Sequence, residues 1–265
     1  MYPIFKKFHI PYPLSDYLPN PLIIYTYGLC IFLGIVLSFI FFYKKSKDFG
    51  LKTEDVGLIF LVAIAAAFLG GKFLYFLEAP FYHSVNFDLF LKNWQVGFVF
   101  FGSFIFVVIS LYYLFRYYKL PVFVAFDWLA ICGMIIHGIG KIGCFAAGCC
   151  YGKPCSNFFA VTYTHPLAVA RPLGQSLYPV QLIDAFFVLT LLIVSLIFFR
   201  KKPFDGFWMI MYTMCYAVLR FFTELIRGDE SRGYIIKNYL THSQFISVVL
   251  VVICLFLLRY KYKKK

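Results

Sequence analysis

The sequence predicts an all-α, polytopic integral membrane protein with about seven transmembrane helices, its N-terminus outside and its C-terminus cytoplasmic. Three observations lead there. The chain is 62% hydrophobic and only 14% charged over 265 residues. Apolar runs of about twenty residues recur along it, the length a helix needs to cross roughly 30 Å of hydrocarbon. Lysine and arginine also gather in alternate connections, and the basic connections of a membrane protein are the cytoplasmic ones. No segment outside the runs is long enough for a soluble domain, so 1–265 reads as a single transmembrane domain. Within it, 143–178 is an extracytoplasmic loop carrying a cysteine-rich segment.

The spans follow in order. Met1–Asn20 holds Lys6 and Lys7 but no apolar core ending in a small-residue cleavage site, so it does not read as a cleavable leader. The first span, 22–43, has Tyr27 near its outer end and delivers the chain to the basic turn Lys44, Lys45, Lys47, Lys52. The second, 57–78, returns outward and carries Lys72 in its outer half. The third, 96–118, ends in the basic turn Arg116, Lys119, and the fourth, 122–142, runs out to a glycine- and cysteine-rich exit. The fifth, 179–199, opens with Gln181 and Asp184 and ends at Arg200, Lys201, Lys202. The sixth, 205–227, carries Tyr216, Arg220, Glu224 and Arg227. The seventh, 244–259, leads to the tail Arg259-Tyr-Lys-Tyr-Lys-Lys-Lys265. Fewer cations fall on the opposite side: Lys6, Lys7, Lys92, Lys153, Arg171, Arg227, Arg232 and Lys237. The formal charge of +13 is thus a topology signal, and the tail suits anionic lipid headgroups, with no nucleic-acid partner.

The stretch His137-Gly-Ile-Gly-Lys141-Ile-Gly-Cys144-Phe-Ala-Ala-Gly-Cys149-Cys150-Tyr-Gly152-Lys-Pro-Cys155 is the most informative. An ionisable group at mid-membrane costs about 2.5–3.5 kcal/mol, so those that persist face a cavity and act there. His137, Lys141 and Cys144 at i, i+4, i+7 share one helix face, and so do Tyr216, Arg220, Glu224 and Arg227. Separate helices therefore bring polar groups to one outer layer. The set Lys72, Lys141, Arg220 and Arg227 against Glu224 and Asp184 is mainly cationic and suits the phosphate of a phospholipid. Arg220 and Glu224 also read as a simple i, i+4 pair, and His137 as either a structural hydrogen bond or a catalytic group. Gly70, Gly71, Gly102, Gly138, Gly140 and Gly143 read as close helix packing rather than substrate contact.

These residues carry a resemblance. Gly138-Ile-Gly140-Lys141-Ile-Gly143-Cys144-Phe145-Ala-Ala-Gly148-Cys-Cys-Tyr151-Gly152-Lys153 resembles the prolipoprotein diacylglyceryl transferase signature, Gly-x-Gly-Arg-x-Gly-Asn-Phe-x-Asn-Gly-x-x-x-Gly-Arg. Further pieces stand in that family's order. They are Tyr27-Gly28-Leu29, Gly70-Gly71-Lys72, Gly97-Phe-Val-Phe-Phe101-Gly102-Ser103, Pro179-Val-Gln181, and Tyr216 through Arg227. The departures are Lys141 for an arginine, Cys144 for an asparagine and Phe101 for a histidine. Lysine keeps charge but loses the bidentate fork, and phenylalanine moves no proton.

The resemblance implies a bacterial enzyme of the cytoplasmic (inner) membrane, its active site facing the outer leaflet. Phosphatidylglycerol would give its diacylglyceryl group to the lipobox cysteine of a preprolipoprotein, forming a thioether and releasing glycerol phosphate. Arg220 and Lys141 are the expected phosphate ligands, with Glu224 orienting Arg220. His137, one turn from Lys141, is the titratable group nominated for the thiol proton. Tyr27, Lys72, Tyr216, Gly152, Arg227 and Gln181 are the expected substrate-binding residues. The partners are phosphatidylglycerol, the lipobox peptide and membrane lipids, and neither metal nor organic cofactor is required.

Cys30, Cys132, Cys215 and Cys254 read as small core residues. The spacing Cys-x4-Cys-Cys-x4-Cys from Cys144 to Cys155 is not a usual zinc pattern, and an oxidising outer face would allow a disulfide involving Cys155. Two rival functions stand beside the transferase. One is a related phospholipid-dependent transferase with a different acceptor, supported by the residues at 101, 141 and 144. The other is a non-enzymatic seven-helix lipid-binding or transport protein, disfavoured because the polar groups gather in the outer half.

Overall fold

The structure, a computed structural model, describes residues 3–8, 22–78, 99–228, 234–236 and 239–263. Among these, seven helices are long and apolar enough to cross a membrane. They are α1 (Thr26–Ser46), α2 (Thr53–Glu78), α3 (Phe100–Tyr117), α4 (Val122–Ala147), α5 (Val180–Ile197), α6 (Phe207–Ile226) and α7 (His242–Lys263). Lys92, Gly97, Phe98, Arg232 and Lys237, and residues 9–20 of the leading stretch, lie outside the described residues.

The boundaries differ from the hydropathy reading in instructive ways. The first helix starts at Thr26, because Leu22–Tyr25 is a strand (β2) paired antiparallel with Ile4–Phe8 (β1). The fourth runs five residues past its expected end. It stops where Gly148 takes a left-handed backbone (φ +76). There Gly148 N donates to Phe145 O and Cys149 N to Cys144 O at 3.2 Å, the paired bonds of a Schellman stop, which satisfy carbonyls otherwise left open. Two more short ladders, β3 (Val161–Thr162) with β4 (Ser176–Leu177) and β5 (Tyr234–Ile236) with β6 (Leu240–Thr241), occupy connections in this otherwise helical chain.

Two compact units are present, 1–40 with 129–265, and 41–128. In the second, α2 and α3 meet through glycine. A Cβ on Gly70 would strike the Gly102 carbonyl, and one on Gly102 the Gly70 carbonyl. This close approach lets Ser103 Oγ donate to the Ala67 carbonyl at 2.6 Å, and small interfacial residues are what bring membrane helices together. Phe42, Val56, Ile59, Leu111, Phe115 and Trp128 form the buried interior of that unit, with the Phe42 and Trp128 rings edge to face at 5.7 Å.

In the first unit α4 is the shared neighbour. Its Gly140 and Gly143 face Ile31 and Cys30 of α1, Gly138 faces Leu189 of α5, and Gly133 faces Tyr212 of α6. The contacts of Gly138, Gly140 and Gly143 are of the helix-packing kind. Ser38 of α1 adds an interhelical bond to the Cys132 carbonyl at 3.0 Å. Large apolar side chains such as Phe186, Ile197, Phe222 and Phe256 point outward exposed, as suits helices whose solvent is lipid. The connector 148–179 has its own small core of Tyr163, Ala168, Ala170 and Leu177.

Candidate active site

The polar residues of the first unit converge where α4 and α6 end and α5 and α7 begin. Gly143 is the reason α1 joins them: with no side chain it lets Tyr27 Cα and Cys30 Cβ come to 3.1 and 2.9 Å from where its Cβ would be. Tyr27 stands there partly exposed, at the edge of the cluster.

Two buried ion pairs organise the interior. Lys141 Nζ lies 2.5 Å from Asp184 Oδ2, joining α4 to α5. Arg220 Nη2 lies 2.5 Å from Glu224 Oε2 one turn along α6, and donates to Ser243 Oγ of α7 at 3.3 Å. Charges removed from water persist only when paired, and all four of these groups are buried. The pairing is incomplete: Arg220 Nη1 and Asp184 Oδ1 are buried without a hydrogen-bond partner among the described residues. Such a buried orphan costs about 1–3 kcal/mol, so a donor left this way marks where an acceptor belongs. With Arg227 also buried, three cations face two carboxylates.

His137 sits between α4 and α6. Its Nδ1 is 2.9 Å from the Tyr212 hydroxyl, and its ring meets the edge of Tyr216 at 4.4 Å. Tyr216 is therefore held by an aromatic contact as well as by its place on the Arg220 face of α6.

Gln181 and Gly152 act on the backbone. Gln181, fully buried, donates through Nε2 to the Cys149 carbonyl at 2.6 Å and to the Tyr163 hydroxyl at 3.2 Å. Burial pushes the Tyr163 hydroxyl above its ordinary range, so it stays neutral. Gly152 pairs with Arg227 across an isolated antiparallel bridge. A side chain at 152 would strike Tyr178, so only glycine lets the connector lie against both α5 and the end of α6. Lys72 and Phe101 are both buried within the second unit, Lys72 on α2 and Phe101 on α3.

Sequence reading singled out the cysteines from Cys144 to Cys155 but not how closely three of them gather. The sulfurs of Cys144, Cys149 and Cys150 all lie within 4.8 Å of one another, and all eight cysteines, Cys155 included, are free thiols. The signal was present: a glycine stop at 148 brings the residue four before it and the residue after it together. Hydrogen bonding from the Cys144 and Cys149 thiols, helped by the cations Arg227 and Lys141 and opposed by burial, holds the Cys150 thiol far below its ordinary range.

Residues 17–260 match the family model described as prolipoprotein diacylglyceryl transferase. A phosphatidylglycerol–prolipoprotein diacylglyceryl transferase of Clostridium tetani is 34% identical over 88% of this chain and 91% of its own length. A second, from Clostridium perfringens, is 30% identical over 86% of this chain and 88% of its own. One from Dehalococcoides mccartyi is 28% identical over 92% of both.

Proposed function

We propose, from the premise that this chain belongs to the prolipoprotein diacylglyceryl transferase family, that it moves the diacylglyceryl group of phosphatidylglycerol to the lipobox cysteine of a preprolipoprotein. The observation that carries the reading at this site is the buried Arg220 guanidinium, one nitrogen on Glu224 and another without a hydrogen-bond partner among the described residues. A phosphate oxygen completes that fork, and Glu224 keeps it aimed. Lys141, steadied by Asp184, supplies the second cation. The reaction is a displacement at carbon. The acceptor sulfur attacks the glyceryl carbon, the carbon–oxygen bond to phosphate breaks, and glycerol phosphate leaves with the electron pair. Fixed cations take the charge that develops on the leaving oxygen, the interaction that must be stronger in the transition state than before it.

The thiol proton goes to His137, whose ring is oriented by the Tyr212 hydroxyl on Nδ1. Tyr216, packed on that ring, and Tyr27 at the edge of the cluster orient headgroup oxygens. Arg227 and Gly152, bridged backbone to backbone, join them as substrate-binding residues on this reading. The distribution of lysine and arginine supports an outside N-terminus, a cytoplasmic C-terminus and a site that opens to the outer leaflet of the bacterial inner membrane.

The test is direct. The protein purified in detergent is given phosphatidylglycerol and a lipobox peptide. The expected products are a peptide heavier by one diacylglyceryl group and an equal amount of glycerol phosphate. A serine-for-cysteine peptide should give neither. Restored growth of a strain depleted of its own transferase is the cellular counterpart. Phosphatidylglycerol consumed with the cysteine peptide left unmodified would transfer the assignment to another acceptor.

A further inference from the structure

The transfer reaction as derived leaves three thiols without a task. Cys144 sits in the last turn of α4, and the Schellman stop carries Cys149 back beside it through the bond from Cys149 N to Cys144 O. Cys150 then adopts φ +58, a left-handed backbone that residues other than glycine rarely take, and its sulfur joins the other two. The result is three sulfurs within 4.8 Å of one another, one buried and two half-buried. A tetrahedral ion with metal–sulfur bonds of about 2.3 Å needs its sulfurs roughly 3.8 Å apart, within reach of small side-chain rotations.

We propose that Cys144, Cys149 and Cys150 bind one zinc ion as three thiolates, and that its fourth position receives the acceptor's cysteine sulfur. The donor set decides the ion: three sulfurs suit a soft or borderline metal and not magnesium or calcium, which take oxygen. Among the described residues three such donors are gathered here and no fourth, the count of a site that keeps a position open rather than of a closed structural one. The ligand loop is held from behind. Gln181 Nε2 grips the Cys149 carbonyl at 2.6 Å, which fixes the ligands in the way outer partners of a metal site do. The charge also fits: three thiolates and one divalent ion leave one negative charge, and the buried cation Lys141 lies one turn before Cys144 on α4.

The role rests on the transferase reading. The acceptor S–H bond breaks, its proton passes to His137 and its sulfur bonds to zinc. The bound thiolate attacks the glyceryl carbon as the carbon–oxygen bond to phosphate breaks, and the thioether formed, a weak ligand, leaves the metal. No oxidant or reductant is involved. A coordinated thiol is ionised at neutral pH where a free one is only a few per cent thiolate.

Metal content read without turnover separates this proposal from that reading. Full-length protein purified in detergent without chelator should contain close to one zinc per chain by mass spectrometry. Cobalt in its place should give sulfur-to-metal charge-transfer bands, which shift on adding a lipobox peptide and stay unchanged with the serine peptide. Cys144→Ser and Cys150→Ser, checked as monodisperse in detergent, should lose the metal. Zinc removal should slow transfer roughly tenfold at neutral pH, reversed by one equivalent of zinc. Trace metal only, copper in place of zinc, a disulfide within the trio, or cobalt bands indifferent to the thiol peptide overturns the proposal. A zinc-loaded, peptide-responsive protein that transfers no lipid strikes the transferase reading and supports the metal site.

Discussion

Removing the Arg220 guanidinium should cost both stability and phosphate recognition, because the proposed function gives that side chain two distinct duties. Nη2 neutralises Glu224 at 2.5 Å, and Nη1 is buried with no acceptor among the described residues. Arg220→Ala therefore takes a buried cation away from the buried Glu224 carboxylate, costing about 3–5 kcal/mol of stability. It also removes the charge-assisted bond from Nη1 to the donor phosphate, about 1.5–3 kcal/mol. At about 1.4 kcal/mol per tenfold, the second loss amounts to roughly 10–10² in kcat/KM. Arg220→Gln combined with Glu224→Gln separates the two duties: two neutral amides of similar volume keep the helices together while the phosphate still loses its cation. Thermal unfolding in detergent should be close to wild type for the double variant and clearly lower for Arg220→Ala. Transfer to the lipobox peptide should be low in both. A folded double variant with turnover within a few-fold of wild type would show that this guanidinium does not meet the phosphate.

Further expectations can be checked in the same assay. Lys141→Arg should keep transfer, whereas Lys141→Met should lower it roughly 10²–10³-fold, the usual cost of losing one stabiliser of a developing oxyanion; equal activity of the two would mean that Lys141 serves only Asp184. His137→Gln should slow transfer more near pH 7 than near pH 9, where the acceptor thiol, with an ordinary value of about 8.5, ionises unaided. A loss uniform with pH would confine His137 to holding Tyr212 and Tyr216. Gly143→Val must push into Cys30 Cβ at 2.9 Å and Tyr27 Cα at 3.1 Å, and should destabilise by about 1–3 kcal/mol; an unchanged unfolding midpoint would mean that α1 is free to shift.

Hydropathy alone made the seven helices legible, since each must hide its own backbone from lipid whatever its neighbours do. The ends were less so. Leu22–Tyr25 is apolar enough to extend the first helix, yet it pairs with Ile4–Phe8, and apolarity does not distinguish a strand from a helical turn. Arg220 and Glu224 could be paired by counting along one helix. Lys141 with Asp184, or Gln181 with the Cys149 carbonyl, could not, because partners from different helices meet only after packing is set. The cysteine trio lies between these cases. It follows from a local helix stop, but only once Gly148 is recognised as the stop rather than as another packing glycine.

The backbone around Gly152 limits how the substrates can arrive. Tyr151–Lys153 is stitched to the start of α5 by the bonds Gly152 N to Tyr178 O and Tyr178 N to Lys153 O, and to the end of α6 by Lys153 N to Ile226 O and Gly228 N to Tyr151 O. Swinging this strip aside as a door would break all four at once, at roughly 0.5–1.5 kcal/mol each. The strip is therefore open in only a small fraction of molecules. On the proposed function, lipid and peptide come in around a fixed post, which selects what fits beside it without having to move.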